Sequence, residues 1–252
     1  MIYVYGTLGF YTAKASRQYD NTDNQGVVHH FAVNTIPNVQ IVVDSAVASA
    51  SYKLYDEDDT EVASGTCTVN SLTNDAGTAY SQIIIEDETT SGKADGKYYL
   101  KVTHGTTNLY SDMFCWKTAV TDYLKIEADA AAMNIGGFPT ASLTHIIYLE
   151  SSDFVEDYEI QEEGAEKTYG NIPHFTSRNR VHTHDIVGYG KTYNFLAGLR
   201  VAEVNGTVKV TWGGEESEVY DINVEKKAGN GDTYAIELKF KLKDYLQTYN
   251  NI

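Results

Sequence analysis

The chain has 252 residues, 20 of them tyrosine, and its 35 acidic against 19 basic residues give a formal net charge of −16. This charge speaks against direct nucleic-acid binding, which needs a basic surface to release counterions from phosphates. No apolar run approaches the roughly 18 residues of a membrane-spanning helix, and MIYVYGTLGF lacks the basic lead-in of a signal peptide. We therefore expect a folded, β-rich protein that is made in a cytoplasm and has no membrane partner.

Short alternating segments separated by turn residues occupy the first half of the chain. The clearest is KYYLKVTHG, in which Tyr98, Leu100 and Val102 share one face. Several such segments at regular spacing predict an immunoglobulin-like β-sandwich over residues 27–119. Residues 1–26 are polar and turn-rich towards their end, and we predict an N-terminal arm or edge strand there. Further predicted strands lie in NVQIVV, ASYKLYD, SQIIIED and TTNLYSDMFCW.

A second domain is predicted over residues 120–252, as an antiparallel β domain with one short helix. The helix is expected near 192–203, with Thr192 as N-cap and Gly206 just past its end. Its apolar residues Phe195, Leu199 and Ala202 share a face, with Leu196 beside it. Strands are expected in YLKIE, THIIYLE, FTSRNRVHTHDIV, TVKVTW, EVYDINVEKK and TYAIELKFKL.

The stretch RNRVHTHDIVG raises the question of a metal site. On an extended strand His182 and His184 project from the same face, a spacing that chelates zinc in some β proteins. Arg180 lies on that face too and would place a positive charge beside the metal, whereas Asp185 points to the opposite face. Two further histidines are the candidates for a third ligand: His145 and His174. We interpret the pair as surface or interface histidines, with a metal-dependent enzyme as the competing hypothesis.

No other catalytic arrangement is visible in the sequence. There is no G-x-S-x-G nucleophile elbow and no phosphate-binding glycine loop. Cys67 and Cys115 permit one disulfide, but free thiols in a reducing compartment fit the sequence equally well. We therefore predict a protein that is not an enzyme and needs no cofactor.

Tyrosine supplies the candidates for contact with other molecules, because it combines apolar area with a polar tip. Tyr99 is expected on the outward face of its strand, and Tyr3, Tyr5 and Tyr11 lie in the N-terminal segment. We predict that these four residues contribute to protein interfaces. An alternative is a carbohydrate-binding β-sandwich module that stacks sugars on exposed aromatic rings.

Several motifs resemble one group of viral proteins. DGKYYLKVTHGTTNLYSDMFCW, followed at once by TDYLKIEA, resembles structural proteins of tailed phages that infect Bacteroidota, including the crAss-like group. IIYLESSDFVEDYEIQEEG and the helix followed by VYDINVEKK and TYAIELKFKL are also similar. The similarity is spread over most of the chain from about Ser51 onward.

The resemblance implies a non-enzymatic virion component of the tail, neck or baseplate, made in the host cytoplasm. It implies a homo-oligomeric ring or sleeve in contact with other tail or neck proteins. If DNA passes through the lumen of such a ring, an acidic wall would avoid holding the phosphates. No direct nucleic-acid binding is expected.

Overall fold

The computed structural model describes residues 2–16, 29–73, 77–130, 134–135, 138–139, 143–161, 177–230 and 233–243. Within these residues the protein is mainly β with one α-helix, which confirms the predicted class. No helix in the described part of the chain is long and apolar enough to cross a membrane.

The first half contains short and medium strands and one 3₁₀ turn at Lys14–Ser16. The strands are β1 (Ile2–Gly6), β2 (Phe10–Tyr11), β3 (His30–Ala32), β4 (Val39–Val43), β5 (Ala50–Asp56), β6 (Glu61–Thr73), β7 (Ala79–Ile85), β8 (Gly96–His104), β9 (Thr107–Ser111) and β10 (Phe114–Lys117).

The second half contains longer strands and the helix α1 (Gly190–Asn205). The strands are β11 (Leu124–Ala130), β12 (Asn134–Ile135), β13 (Phe138–Pro139), β14 (Leu143–Leu149), β15 (Ser151–Gln161), β16 (Ser177–Tyr189), β17 (Thr207–Trp212), β18 (Glu215–Asn230) and β19 (Thr233–Leu242).

Two groups of paired strands build the first half. The first runs β1–β4–β7–β6 and is antiparallel throughout. The second runs β6–β5–β8, and β8 then pairs with β9 over its last residues and with β10 over its first. Strand β6 belongs to both groups, because its residues up to Cys67 pair with β5 and those from Thr68 pair with β7.

Apolar side chains from both groups form one buried cluster. Val39, Ile41 and Ile83 come from the first group, and Leu54 and Leu100 come from the second. The alternation seen in the sequence accounts for this core, since Tyr52 and Leu54 share the buried face of β5. The cluster also contains four further aromatic side chains: Phe31, Tyr98, Phe114 and Trp116.

The second half has a separate core beneath α1. Strands β14, β11, β17 and β18 pair in that order, and the later part of β18 continues into β19, β16 and β15. Leu196, Leu199 and Ala202 of α1 are buried in this core, and Phe195 packs partly against it. The predicted helix and its apolar face are confirmed. It begins at Gly190, so Thr192 lies in the first turn and is not the N-cap.

Strand β3 joins the two halves. His30 pairs in parallel with Cys115 of β10 on one side, and on the other it faces Tyr148 of β14. The side chain of Asn38 adds a link, because its Nδ2 donates a hydrogen bond of 2.8 Å to the carbonyl oxygen of Thr144.

Several elements differ from the prediction, including the unpredicted short strands β3, β12 and β13, and two of the differences concern the strands β9–β10 and β15. The predicted last strand of the first half is broken into β9 and β10, because Asp112 leaves the ladder to bond with the N-terminal segment. Its amide donates to the carbonyl of Gly9, and its carboxylate accepts from the Gly9 amide. The second difference is β15, which was not predicted because its sequence, SSDFVEDYEIQ, resembles an acidic tail more than a strand.

The N-terminal segment takes part in the sheets as far as the structure describes it. Strand β1 pairs with β4 from Ile2–Val43 to Gly6–Val39, and β2 pairs with β9. Residues 17–28 lie outside the described residues, so the arm predicted for 1–26 is described only up to residue 16.

Candidate interaction surfaces

The histidine pair lies in the middle strand of three, because β16 runs between β15 and β19. His182 and His184 share a face as predicted, with ring centroids 6.0 Å apart. Both are buried, which contradicts our interpretation of them as surface histidines. The aromatic rings of Phe154, Trp212 and Phe240 cover them.

Burial sets the protonation of these histidines. It lowers the pKa of His184 to about 3, and the neighbouring His182 adds to this effect. Burial also lowers the pKa of His182, helped by Arg180 and opposed by the Glu156 carboxylate, whose Oε2 lies 3.7 Å from Nε2 of His182. Both rings are therefore neutral near pH 7.

Few polar groups reach the two rings. Nδ1 of His184 lies 3.1 Å from Oγ of Ser151, while Nε2 of His184 and both nitrogens of His182 have no hydrogen-bond partner among the described residues. Arg180 bonds to the carboxylates of Glu156 at 2.6 Å and Glu215 at 3.1 Å.

A third metal ligand is not assembled beside this pair in the described part of the chain. No group of three or more His, Cys, Asp or Glu residues is placed there to hold a metal ion. His145, one candidate for the third ligand, packs instead against Phe195 of α1. The other candidate, His174, lies outside the described residues.

Tyr99 is covered within its own chain. Its ring stacks on Tyr55 with centroids 5.2 Å apart, and the Lys14 ammonium lies 5.4 Å from its centroid. Its hydroxyl donates to Oδ1 of Asp59 at 2.8 Å. With 3% of its surface exposed, Tyr99 does not present the open contact surface that its outward position predicts.

The other interface candidates lie in the N-terminal strands. Tyr3 and Tyr5 belong to β1, but their side chains lie outside the described residues. Tyr11 of β2 is half-buried, and its hydroxyl bonds to the Asp112 carboxylate. Burial and that carboxylate together raise the pKa of Tyr11.

The two cysteines are free thiols. Cys67 lies in β6 and Cys115 in β10, and both are half-buried. Burial raises the pKa of each thiol, to about 12 for Cys67. At Cys115 burial outweighs the nearby Lys97 and Lys117, so neither thiol has the lowered pKa of an activated thiolate nucleophile.

Strand edges form the first interaction surface. Strand β1 pairs only with β4, and β15 pairs only with β16, among the described strands. A strand edge carries a row of backbone N–H and C=O groups that can pair with another chain. Val155 on β15 adds an apolar side chain that is 54% exposed.

A cavity at the junction of the two halves forms the second surface, which we call the seam pocket. It has a volume of about 200 Å³. It is lined by Phe31, Ala32, Thr35, Ile36, Pro37, Asn38, Asp87, Glu88, Thr89, Thr144, Ile146 and Tyr148.

The chain matches no protein-family model, no curated protein and no solved structure.

Proposed function

We propose that the chain is a structural subunit of a phage virion that assembles head to tail into a ring through its open strand edges. The observation that carries this proposal is the pair of edges β1 and β15, each of which has a partner on one side only among the described strands. Strand β6 is also an edge strand, but it passes from one strand group to the other and so offers no long edge in either.

The end of the β15–β16 hairpin supports a contact with another molecule. Strand β19 accompanies β16 only from Val181 to Tyr189. Among the described residues, 158–161 and 177–180 therefore pair with each other alone. A two-stranded ribbon is marginally stable in water by itself, so a neighbour that pairs with β15 or covers the ribbon would stabilise it.

The two edges differ in charge. Strand β15 carries exposed Asp153, Glu156 and Asp157, so two copies of β15 side by side would repel each other. Strand β1, with the sequence IYVYG, has no charged residue. We infer that β15 of one subunit meets β1 of the next, a contact that repeats around a ring if the rotation closes.

The virion setting is supported by the resemblance of the sequence motifs to phage structural proteins. The net charge of −16 also suits a subunit whose ring surrounds DNA without holding it. Neither argument favours the carbohydrate-binding alternative, and the burial of Tyr99 removes one of the rings on which a sugar would stack.

We also infer that the first half is an immunoglobulin-like β-sandwich. The order β1–β4–β7–β6 corresponds to strands A, B, E and D of that fold, and β5–β8–β9 with β10 corresponds to C, F and G. The correspondence is supported by the single apolar cluster to which both strand groups contribute.

Mass photometry of the purified protein tests the assembly role, with Val155 as the site of change. Val155→Asp places a carboxylate in the contact with the uncharged strand β1, where burying a charge without a partner is costly. We expect the wild-type protein to form one defined oligomer. The Val155→Asp oligomer should dissociate into single subunits at protein concentrations at least about tenfold higher than those at which the wild-type oligomer dissociates.

The matched control is Val155→Thr, which keeps the β-branched shape and should keep the oligomer. A wild-type protein that stays a single subunit at every concentration would contradict the proposal. So would an oligomer that is unchanged in Val155→Asp, because β15 would then not be in the contact.

A further inference from the structure

The seam pocket has apolar walls from both halves of the chain. Phe31, Ile36 and Pro37 come from the segment around β3, and Ile146 and Tyr148 come from β14. Ile146 is an outward-facing apolar residue, 37% exposed. At about 200 Å³, the cavity is smaller than the roughly 300–1,000 Å³ of sites that bind drug-sized molecules. Its size suits one inserted side chain.

Two carboxylates belong to the lining, and their partners are neutral. Oδ1 of Asp87 accepts a hydrogen bond of 3.2 Å from Nδ2 of Asn38. Oε2 of Glu88 accepts one of 3.0 Å from the hydroxyl of Tyr52. The described lining contains no lysine, arginine or histidine, so the negative charge of the pocket is not balanced within it.

The walls are held in place before anything binds. The side-chain amide of Asn38 donates to the Thr144 carbonyl at 2.8 Å and accepts from the Asp87 amide at 2.8 Å. One residue thereby ties the segment that carries the carboxylates to β14. A preformed site loses less conformational entropy on binding than one that must close around its ligand.

We propose that the seam pocket binds a lysine or arginine side chain of a partner protein. The apolar walls suit the methylene stem of such a side chain, and Asp87 and Glu88 suit its cationic head through charge-assisted hydrogen bonds. The net charge of −16 speeds the approach of a basic partner. This site goes beyond the assembly role, because it uses neither the β1 edge nor the β15 edge and can fail or succeed independently of ring formation.

Titration of the ¹⁵N-labelled full-length protein with N-acetyl-arginine methylamide, followed by NMR, tests the site. N-acetyl-lysine methylamide is the second probe, and the citrulline analogue is a neutral control of nearly the same shape as arginine. We expect saturable shifts in residues of the seam pocket with arginine or lysine, and about tenfold weaker binding of citrulline. The tighter of the two cationic probes identifies the residue type that the partner presents.

The double variant Asp87→Asn, Glu88→Gln should remove the preference for arginine over citrulline, while keeping acceptor oxygens for Asn38 and Tyr52. Glu86→Gln is the matched control, since Glu86 is an exposed neighbour outside the pocket lining. Equal binding of arginine and citrulline would overturn the proposal. The absence of saturable shifts, or equal losses in the double variant and the control, would also overturn it.

Discussion

At the scale of single residues, the buried histidines are the least expected feature. His29, His145 and His184 are all buried, and burial lowers the pKa of the first two to about 4 and of the third to about 3. A free histidine titrates near pH 6.5. The folded protein therefore binds fewer protons than the unfolded chain once the pH falls below about 6.5.

We predict that the free energy of unfolding is constant above pH 6.5 as far as these histidines are concerned and falls between pH 6.5 and pH 5. The loss follows from proton linkage, because the unfolded chain takes up protons that the folded chain excludes. At 1.36 kcal/mol per pKa unit, each of the three histidines contributes about 2 kcal/mol to the loss by pH 5. Urea denaturation at a series of pH values measures it.

His184→Phe provides the control for this pH dependence. The ring lies between Phe154 and Phe240, so phenylalanine suits the apolar site, and Ser151 keeps its hydrogen bond to the Asp153 carbonyl. Between pH 6.5 and pH 5 the free energy of unfolding of the variant should fall by about 2 kcal/mol less than that of the wild type. If the free energy of unfolding fell equally with pH in the two proteins, His184 would not titrate as its burial requires.

Replacing either of two glycines with alanine should change the stability of the protein, and the two changes should have opposite signs. A Cβ on Gly65 would lie 2.5 Å from the hydroxyl oxygen of Tyr52, and Tyr52 is buried with its hydroxyl bonded to Glu88. Gly65→Ala should therefore destabilise the protein by about 1–3 kcal/mol. Thermal unfolding followed by circular dichroism measures the change.

Gly198 offers the contrasting case within α1. Nothing lies within 4 Å of a Cβ placed there, and alanine is favoured over glycine in a helix by about 0.8–1 kcal/mol. Gly198→Ala should raise the melting temperature while Gly65→Ala lowers it. A rise with both variants would contradict the packing described around Tyr52, and a fall with both would contradict the open space described at Gly198.

At the scale of elements, the N-terminal strands are held by Asp112. This buried carboxylate accepts hydrogen bonds from the Gly9 amide and from Tyr11, and the Asp112 amide donates to the Gly9 carbonyl. Asp112→Ala would leave the Gly9 amide without its acceptor, at a cost of about 1–3 kcal/mol. We expect hydrogen exchange of residues 8–11 to accelerate by at least about tenfold.

Asp112→Asn separates the loss of the acceptor from the loss of the charge. Asparagine keeps one acceptor oxygen for Gly9, so the acceleration should be smaller than with alanine. Asp122→Asn, at an exposed site in the loop before β11, should leave the hydrogen exchange of residues 8–11 unchanged. Unchanged exchange at residues 8–11 in Asp112→Ala would show that other contacts hold the segment.

Elements with a strong periodic pattern could be predicted from the sequence. Alternation in ASYKLYD and the helical spacing of Leu196, Leu199 and Ala202 correspond to the observed buried faces. Strand β15 could not be predicted in this way, because its described residues are largely exposed and acidic and its partner strand lies 16 or more residues further along the chain. Edge strands lack the apolar pattern by which buried strands are recognised.

At the scale of the whole molecule, the interaction surfaces depend on contacts between distant parts of the chain. The seam pocket combines Phe31, Asp87 and Ile146, which are far apart in sequence and carry no shared motif. Sequence patterns report local periodicity, whereas the register that brings β3 beside β14 is set by packing. For the same reason the burial of His182 and His184 followed only from their place between β15 and β19.

The central claim is that subunits join through the β15 edge, and electron microscopy of the native assembly at side-chain resolution tests it most directly. We predict a closed ring in which β15 of each subunit pairs with a strand of its neighbour, with β1 as that strand. Subunits that occur singly, or a ring in which the outer edge of β15 faces solvent, would contradict the claim.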